Sequence, residues 1–177
     1  MFRVYEVQDF VKIPPYRYGE DLKKIVEEIL REEYESKFFK DLGLVLMIYD
    51  VEVDELGLVI PGEGSTYHEV KFKMLTYVPL VNEVVEGRVR DVRNIGLFVD
   101  IGPITALVHI SQVMDDKAMY DELTKRIVSE DGKRFIGVGD MIRGRITSVS
   151  MTPGREGELR VAMTLRQSGL GKIEKVG

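Results

Sequence analysis

Short runs of alternating apolar residues in the second half of the chain narrow its architecture more than any other feature. Three of them fall in a single stretch from Gly87 to Ser111, GRVRDVRNIGLFVDIGPITALVHIS. With two more further on, they predict strands over roughly 81–93, 95–101, 104–110, 141–149 and 158–166. Five strands of this length and spacing close into an OB-type barrel. A polar segment at 112–135 separates the third strand from the fourth and reads as a helical insert. The tail from Ser168 to Gly177 is poor in apolar residues and reads as an end that frays.

The first 80 residues follow another pattern. Residues 2–13, FRVYEVQDFVKI, are rich in β-branched and aromatic types and predict a strand that ends at Pro14-Pro15. From Glu20 to Tyr34 the residues Leu22, Ile25, Val26, Ile29, Leu30 and Tyr34 recur every three or four positions, the spacing of one helix face. Glu20 and Asp21 fall in its first turn, where acidic groups complement the helix dipole. Gly43 precedes a strand from Leu44 to Val53, and the turn Pro61-Gly62-Glu63-Gly64-Ser65 precedes another from Tyr67 to Val78. The expected first domain, residues 1–80, is therefore α+β, a β-α-β-β unit with one helix on a small antiparallel sheet. Residues 81–177 form the expected second, all-β domain.

Charge separates the same halves. Residues 1–80 carry 10 Lys+Arg against 16 Asp+Glu, and residues 81–177 carry 15 against 14. A net charge of −5 disfavours a protein that coats duplex DNA unaided, since phosphate binding needs an excess of cations. The chain has no cysteine and only two histidines, His68 and His109. Disulfides, zinc–thiolate sites and cysteine nucleophiles are thereby excluded, and no metal or cofactor is expected. No apolar run approaches the ~18 residues of a membrane span, and the N-terminus lacks a signal pattern, so a cytoplasmic location is expected. The carboxylates fall on the helix face or in turns without paired context, and no catalytic residue is assigned. The loop Gly62-Glu63-Gly64-Ser65 lacks the Gly-Lys-Ser/Thr of a phosphate-binding loop and has no helix after it, which argues against nucleotide binding there.

Period-two alternation divides each barrel strand into inward and outward sets. Val85, Gly87 and Val89 face in, leaving Arg88 and Arg90 outside. Leu97, Val99 and Ile101 face in, leaving Gly96, Phe98 and Asp100 outside. Ile142, Gly144 and Ile146 leave Arg143 and Arg145 outside, and Leu159, Val161, Met163 and Leu165 leave Arg160 and Arg166 outside. An outward Phe98 exposes a ring on which a base can stack, at ~1–3 kcal/mol, while arginines hold phosphates. Each residue also has a plainer reading. Phe98 can lie under the insert, strand arginines are commonly solvated, and His109 can simply bond a neighbouring loop.

As a set, Gly87-x-Val89, Gly96-Leu97-Phe98-Val99, Leu107-Val108-His109-Ile110-Ser111, Val138-Gly139-Asp140 and Met163-Thr164-Leu165-Arg166 closely resemble the S1 RNA-binding domain. That resemblance implies single-stranded RNA contacts from Phe98, His109 and Arg160, with Arg88, Arg90, Arg143, Arg145 and Arg166 on phosphates. The first aromatic of the S1 pattern falls on Ile95, and its acidic residue on Ser150. One ring implies micromolar binding at best, about −8 kcal/mol.

The whole chain resembles the E-prime family of archaeal RNA polymerase stalk subunits, counterparts of the larger stalk subunit of eukaryotic polymerase II. The carriers are Met1-Phe2-Arg3-Val4-Tyr5, Val11-Lys12-Ile13-Pro14-Pro15, Gly19-Glu20-Asp21-Leu22, the run Pro61 to Val70, and Phe72-Lys73. In that family a truncated ribonucleoprotein-type domain docks on the core polymerase and an S1 domain reaches toward emerging transcript. The resemblance implies a non-catalytic subunit with three partners: the core near the base of the clamp, a smaller stalk subunit that completes a heterodimer, and nascent RNA. Gly62, Glu63, Gly64, Ser65, Thr66 and Tyr67 become the tip that enters the core. On residue chemistry alone the same loop is a flexible hairpin turn, and His68 beside it is structural. The rival to a polymerase subunit is a free-standing S1 adaptor of translation or of an RNA-degrading exosome.

Overall fold

A computed structural model describes residues 1–152 and 158–174. The chain divides at Val78/Pro79 into two units, each with its own core.

The first unit begins with β1 (Phe2–Ile13), whose residues are alternately exposed and sheltered. A single 3-10 turn at Pro15–Arg17 follows, then α1 (Leu22–Tyr34). Asp21 is the N-cap of α1: its carboxylate accepts the Lys24 N–H at 3.0 Å, and the first turn proper carries no acidic residue. Next come β2 (Phe38–Phe39), β3 (Gly43–Val53), β4 (Leu58–Val59) and β5 (Thr66–Tyr77). They form one antiparallel sheet in the order β1-β5-β3-β2, with β4 pairing the start of β5 beyond the end of β3. Ile25, Val26 and Leu30 of α1 pack on Val11, Val45, Ile48, Val70, Phe72 and Met74, burying one face of the sheet. At the edge of this core the Tyr34 hydroxyl donates to Asp9 at 2.5 Å. Burial, and then that carboxylate, push its pKa well above the usual tyrosine range.

The second unit contains β6 (Val84–Arg93), β7 (Gly96–Asp100), β8 (Thr105–His109), β9 (Ala118–Asp121), β10 (Arg126–Ser129), β11 (Phe135–Gly137), β12 (Met141–Thr152), β13 (Glu158–Thr164) and β14 (Gly171–Lys172). Strands β6, β7, β8, β13 and β12 pair in a ring. It closes where β13 runs parallel to β8, with Val161 opposite Ala106 and Ala162 opposite Leu107. This is the expected five-stranded barrel, filled by Val89, Leu97, Val99, Val108, Ile142, Ile146, Val161 and Met163.

Three expectations are corrected. The segment at 112–135 is not a helix: apart from a 3-10 turn at Ile110–Gln112, it supplies β9, β10 and the start of β11, a small antiparallel sheet of its own. Ile127 and Ile136 of that sheet are buried and join the barrel core. The tail does not fray throughout, because Gly171 and Lys172 pair with Arg143 and Ile142 as a strand; residues 175–177 lie outside the described residues. Gly96, assigned to the outward face, is buried with φ +145°, and a side chain there would run into the Val108 carbonyl.

Two substitutions test this account by chemical denaturation of the full chain. Asp21→Ala removes one cap and is expected to cost about 1 kcal/mol. Gly96→Ala forces both an unfavourable φ and a backbone clash, and is expected to cost more than about 2 kcal/mol.

Candidate nucleic-acid interface

Strand register sorts the outward residues of the barrel into rows that run across β13, β8, β7 and β6. One row reads Ala162, Leu107, Phe98, Asp91. On one side of it His109 and Arg93 flank Gly96, and on the other Thr105 and Arg88 flank Asp100. Phe98 is therefore a half-buried ring in the middle of a patch whose neighbours are mainly polar.

The patch is internally bonded. His109 is exposed, and its Nδ1 accepts the Ser111 N–H at 3.2 Å and lies 2.8 Å from the Ser111 hydroxyl. That leaves Nε2 as the ring atom open to a ligand. An Arg166 guanidinium nitrogen donates to the Ser111 carbonyl at 3.4 Å, so β8 and the end of β13 meet around Ser111. The Thr105 hydroxyl donates to Asp100 at 2.8 Å, and Arg90 lies 3.8 Å from the same carboxylate. Arg160 is exposed on β13 directly opposite Ser150.

The remaining predicted arginines are not in this patch. Arg143 is opposite Glu86 near the start of β6 and bonds it through Nε at 2.9 Å and a terminal nitrogen at 2.7 Å. Arg145 is half-buried, and its Nε is a buried donor with no hydrogen-bond partner among the described residues. Phe98 instead faces the far end of β6.

Sequence reading missed Arg93. Its guanidinium carbon stands 5.0 Å from the centroid of the Phe98 ring, and its Nε donates to Asp91 at 2.8 Å. That bond, helped by the Val92 N–H, holds the Asp91 carboxyl below its usual range. Strict alternation from Arg88 and Arg90 points Asp91 and Arg93 inward. A bulge between Val89 and Asp91 reverses the parity, so Val92 is buried and Asp91 faces Phe98.

The predicted tip is a hairpin loop between β4 and β5, closed by pairing of Val59 with Thr66. Gly62 takes φ +90°, and the Glu63 N–H returns to the Ile60 carbonyl at 3.0 Å. The loop is braced from outside. Tyr18 donates its hydroxyl to the Gly64 carbonyl at 2.6 Å, Tyr67 donates to Glu63 at 2.6 Å, and Lys12 lies 3.3 Å from the same carboxylate. Ser65 is buried, Thr66 and Tyr67 are half-buried, and Gly62, Glu63 and Gly64 are exposed. Beside the loop Leu56, Leu58 and Val59 are 81%, 62% and 64% exposed, an apolar strip that sequence reading also missed. His68 is buried with Nδ1 2.8 Å from the Asp54 carbonyl, and a side chain at Gly57 would stand 2.7 Å from its Nε2. It is a packing residue.

Among the described residues no group of histidine and carboxylate side chains has a metal-binding arrangement, and no helix is long and apolar enough to cross a membrane.

Residues 8–64 match the family model of the SHS2 domain found in the N terminus of Rpb7p/Rpc25p/MJ0397, and residues 79–155 match the S1 RNA binding domain. The first unit, a sheet with one helix, is thus an SHS2 domain, and the second an S1 barrel. The chain is similar to DNA-directed RNA polymerase subunit Rpo7 of Saccharolobus solfataricus, 47% identical over 98% of this chain and 96% of the relative. It is 44% identical to Rpo7 of Sulfolobus acidocaldarius over 98% and 94% of the two chains. It is also similar to DNA-directed RNA polymerase III subunit RPC8 of Saccharomyces cerevisiae, at 28% identity over 99% and 87%.

The bracing of the tip has a pH signature. Hydrogen bonding from Tyr67, then Lys12, lowers the Glu63 carboxyl below its ordinary value of 4.5. Its stabilising contacts are therefore present above that value and are lost as pH falls through the lowered one. In an NMR titration the Glu63 side chain is expected to protonate at lower pH than an ordinary glutamate. Tyr67→Phe should move it back toward 4.5.

Proposed function

The chain belongs to the Rpo7 family of DNA-directed RNA polymerase stalk subunits, and on that premise we propose that it is a non-catalytic subunit working at the polymerase exit path. Residues 1–80 dock on the core near the base of the clamp and pair with the smaller stalk subunit as a heterodimer. Residues 81–177 hold nascent single-stranded RNA in the cytoplasm without strong sequence preference. What supports the reading is the similarity to Rpo7, which runs through both the SHS2 and the S1 unit. A free-standing S1 adaptor has no use for the first unit.

Each residue of the face has its own task. Phe98 supplies the ring at the foot of the base stack, His109 presents Nε2 to the base, and Arg160 with Arg88, Arg90 and Arg166 holds phosphates. Arg143 and Arg145 supply field from further along the barrel, Arg143 after release from Glu86. The tip from Gly62 to Tyr67 enters the core, and the exposed strip Leu56, Leu58 and Val59 gives it apolar area to bury there. From that position the tip biases the clamp toward closure, favouring promoter opening and processive elongation. Weak RNA binding suffices, because tethering to the polymerase raises the effective concentration of transcript.

A pull-down of the tagged chain from its native lysate at moderate salt tests the assembly. Recovery of the large polymerase subunits and one small, near-stoichiometric partner is expected; ribosomal or exosome proteins without polymerase would overturn the reading. Phe98→Ala is expected to weaken RNA binding roughly tenfold while leaving that recovery unchanged. Equal RNA affinity for mutant and wild type would remove Phe98 from the site.

A further inference from the structure

Three phenylalanine or tyrosine rings occur in residues 79–177, Phe98, Tyr120 and Phe135, and the last two lie on the insert sheet. The barrel strands therefore offer one benzene-type ring to an RNA strand beside the His109 imidazole, and Arg93 already lies against it at 5.0 Å. A base that reaches this face must either push Arg93 aside or lie on top of it.

We propose that Arg93 is the second stacking surface of the site: a base lies on the flat face of its guanidinium, which lies in turn on Phe98. This rests on reading the face as an RNA site. Pushing Arg93 aside breaks its contact with the ring and its bond to Asp91, two interactions given up for one stack. Lying on the guanidinium keeps both and adds a third layer, and guanidinium planes, like aromatic rings, are surfaces on which unpaired RNA bases stack. The plane is also held ready. Asp91 takes Nε at 2.8 Å, and the Val92 N–H fixes Asp91 in turn at 2.9 Å. The bulge after Val89 sets Asp91 directly opposite Phe98. The Arg93 side chain is 64% exposed, so it remains open to a ligand. Its terminal nitrogens stay free of Asp91 in this arrangement and can meet the phosphate of the stacked nucleotide.

The test separates a plane from a charge. A short fluorescein-labelled single-stranded oligoribonucleotide is titrated with the full-length chain and its Arg93→Ala, Arg93→Lys and Phe98→Ala variants, at several salt concentrations. Arg93→Ala is expected to weaken binding at least about fivefold, and Arg93→Lys, which keeps the charge but not the plane, nearly as much. Adding Phe98→Ala to Arg93→Ala should cost less than the two separate losses combined, because one layer rests on the other. Wild-type affinity in Arg93→Lys would overturn the inference and leave Arg93 a phosphate contact, with the loss in Arg93→Ala carried by the salt slope. Unchanged affinity in Arg93→Ala would overturn it too, and tighter binding would make Arg93 a cover over the ring. No salt-sensitive binding by the wild type would sink the RNA reading itself. Arg93 is exposed, so the variants should melt with the wild type; if Arg93→Ala fails to fold, Arg93→Gln takes its place.

Discussion

The S1 half of this protein depends on a very short parallel pairing. Val161 meets Ala106 and Ala162 meets Leu107, and through those two steps β13 joins β8 and turns a curved sheet into a closed barrel. Without it β8 and β13 would each present an open edge, and the row from Ala162 through Leu107 and Phe98 to Asp91 would lose its first member. Closure also fixes what each side of the wall sees. Val161 and Ala106 point into the core, so their neighbours on both strands must point out. The chemistry of the outer face is thus a by-product of how the inner face is filled.

Most of that wall was legible in the sequence because the core imposes period two on it. Leu97, Val99, Ile142, Ile146, Val161 and Met163 are buried as the alternation requires. Alternation fails where the backbone inserts a residue. The bulge between Val89 and Asp91 moves Asp91 and Arg93 to the outside, and nothing in the local composition marks the slip. Arg93 was invisible for that reason. Gly96 was misassigned for a related one: parity places it outside, but this first residue of β7 has a positive φ and sits against the Val108 carbonyl of the paired strand β8.

The insert was misread on a different ground. Strands of three or four residues, each with at most two buried positions, produce no detectable period, and their polarity suggested a solvated helix. One signal was present: Asp131-Gly132, a pair that favours tight turns between strands. Gly132 has φ +70°, and the Asp131 carboxylate accepts the Lys133 N–H, so the pair does turn the chain between β10 and β11. In the first unit, by contrast, the helix period was long enough to speak for itself. The bracing of the tip was not readable, since Tyr18, Lys12 and Tyr67 come together only once the sheet has formed.

That bracing changes what kind of object the tip is. A glycine loop that hangs free must be ordered before it can grip anything, and the cost of ordering is subtracted from its affinity. Here two tyrosines and a lysine have already set the loop in place. A set loop also resists deformation. A displacement applied to its end is passed on to the sheet that carries it, as along a stiff lever, where a slack loop would absorb the same push by bending.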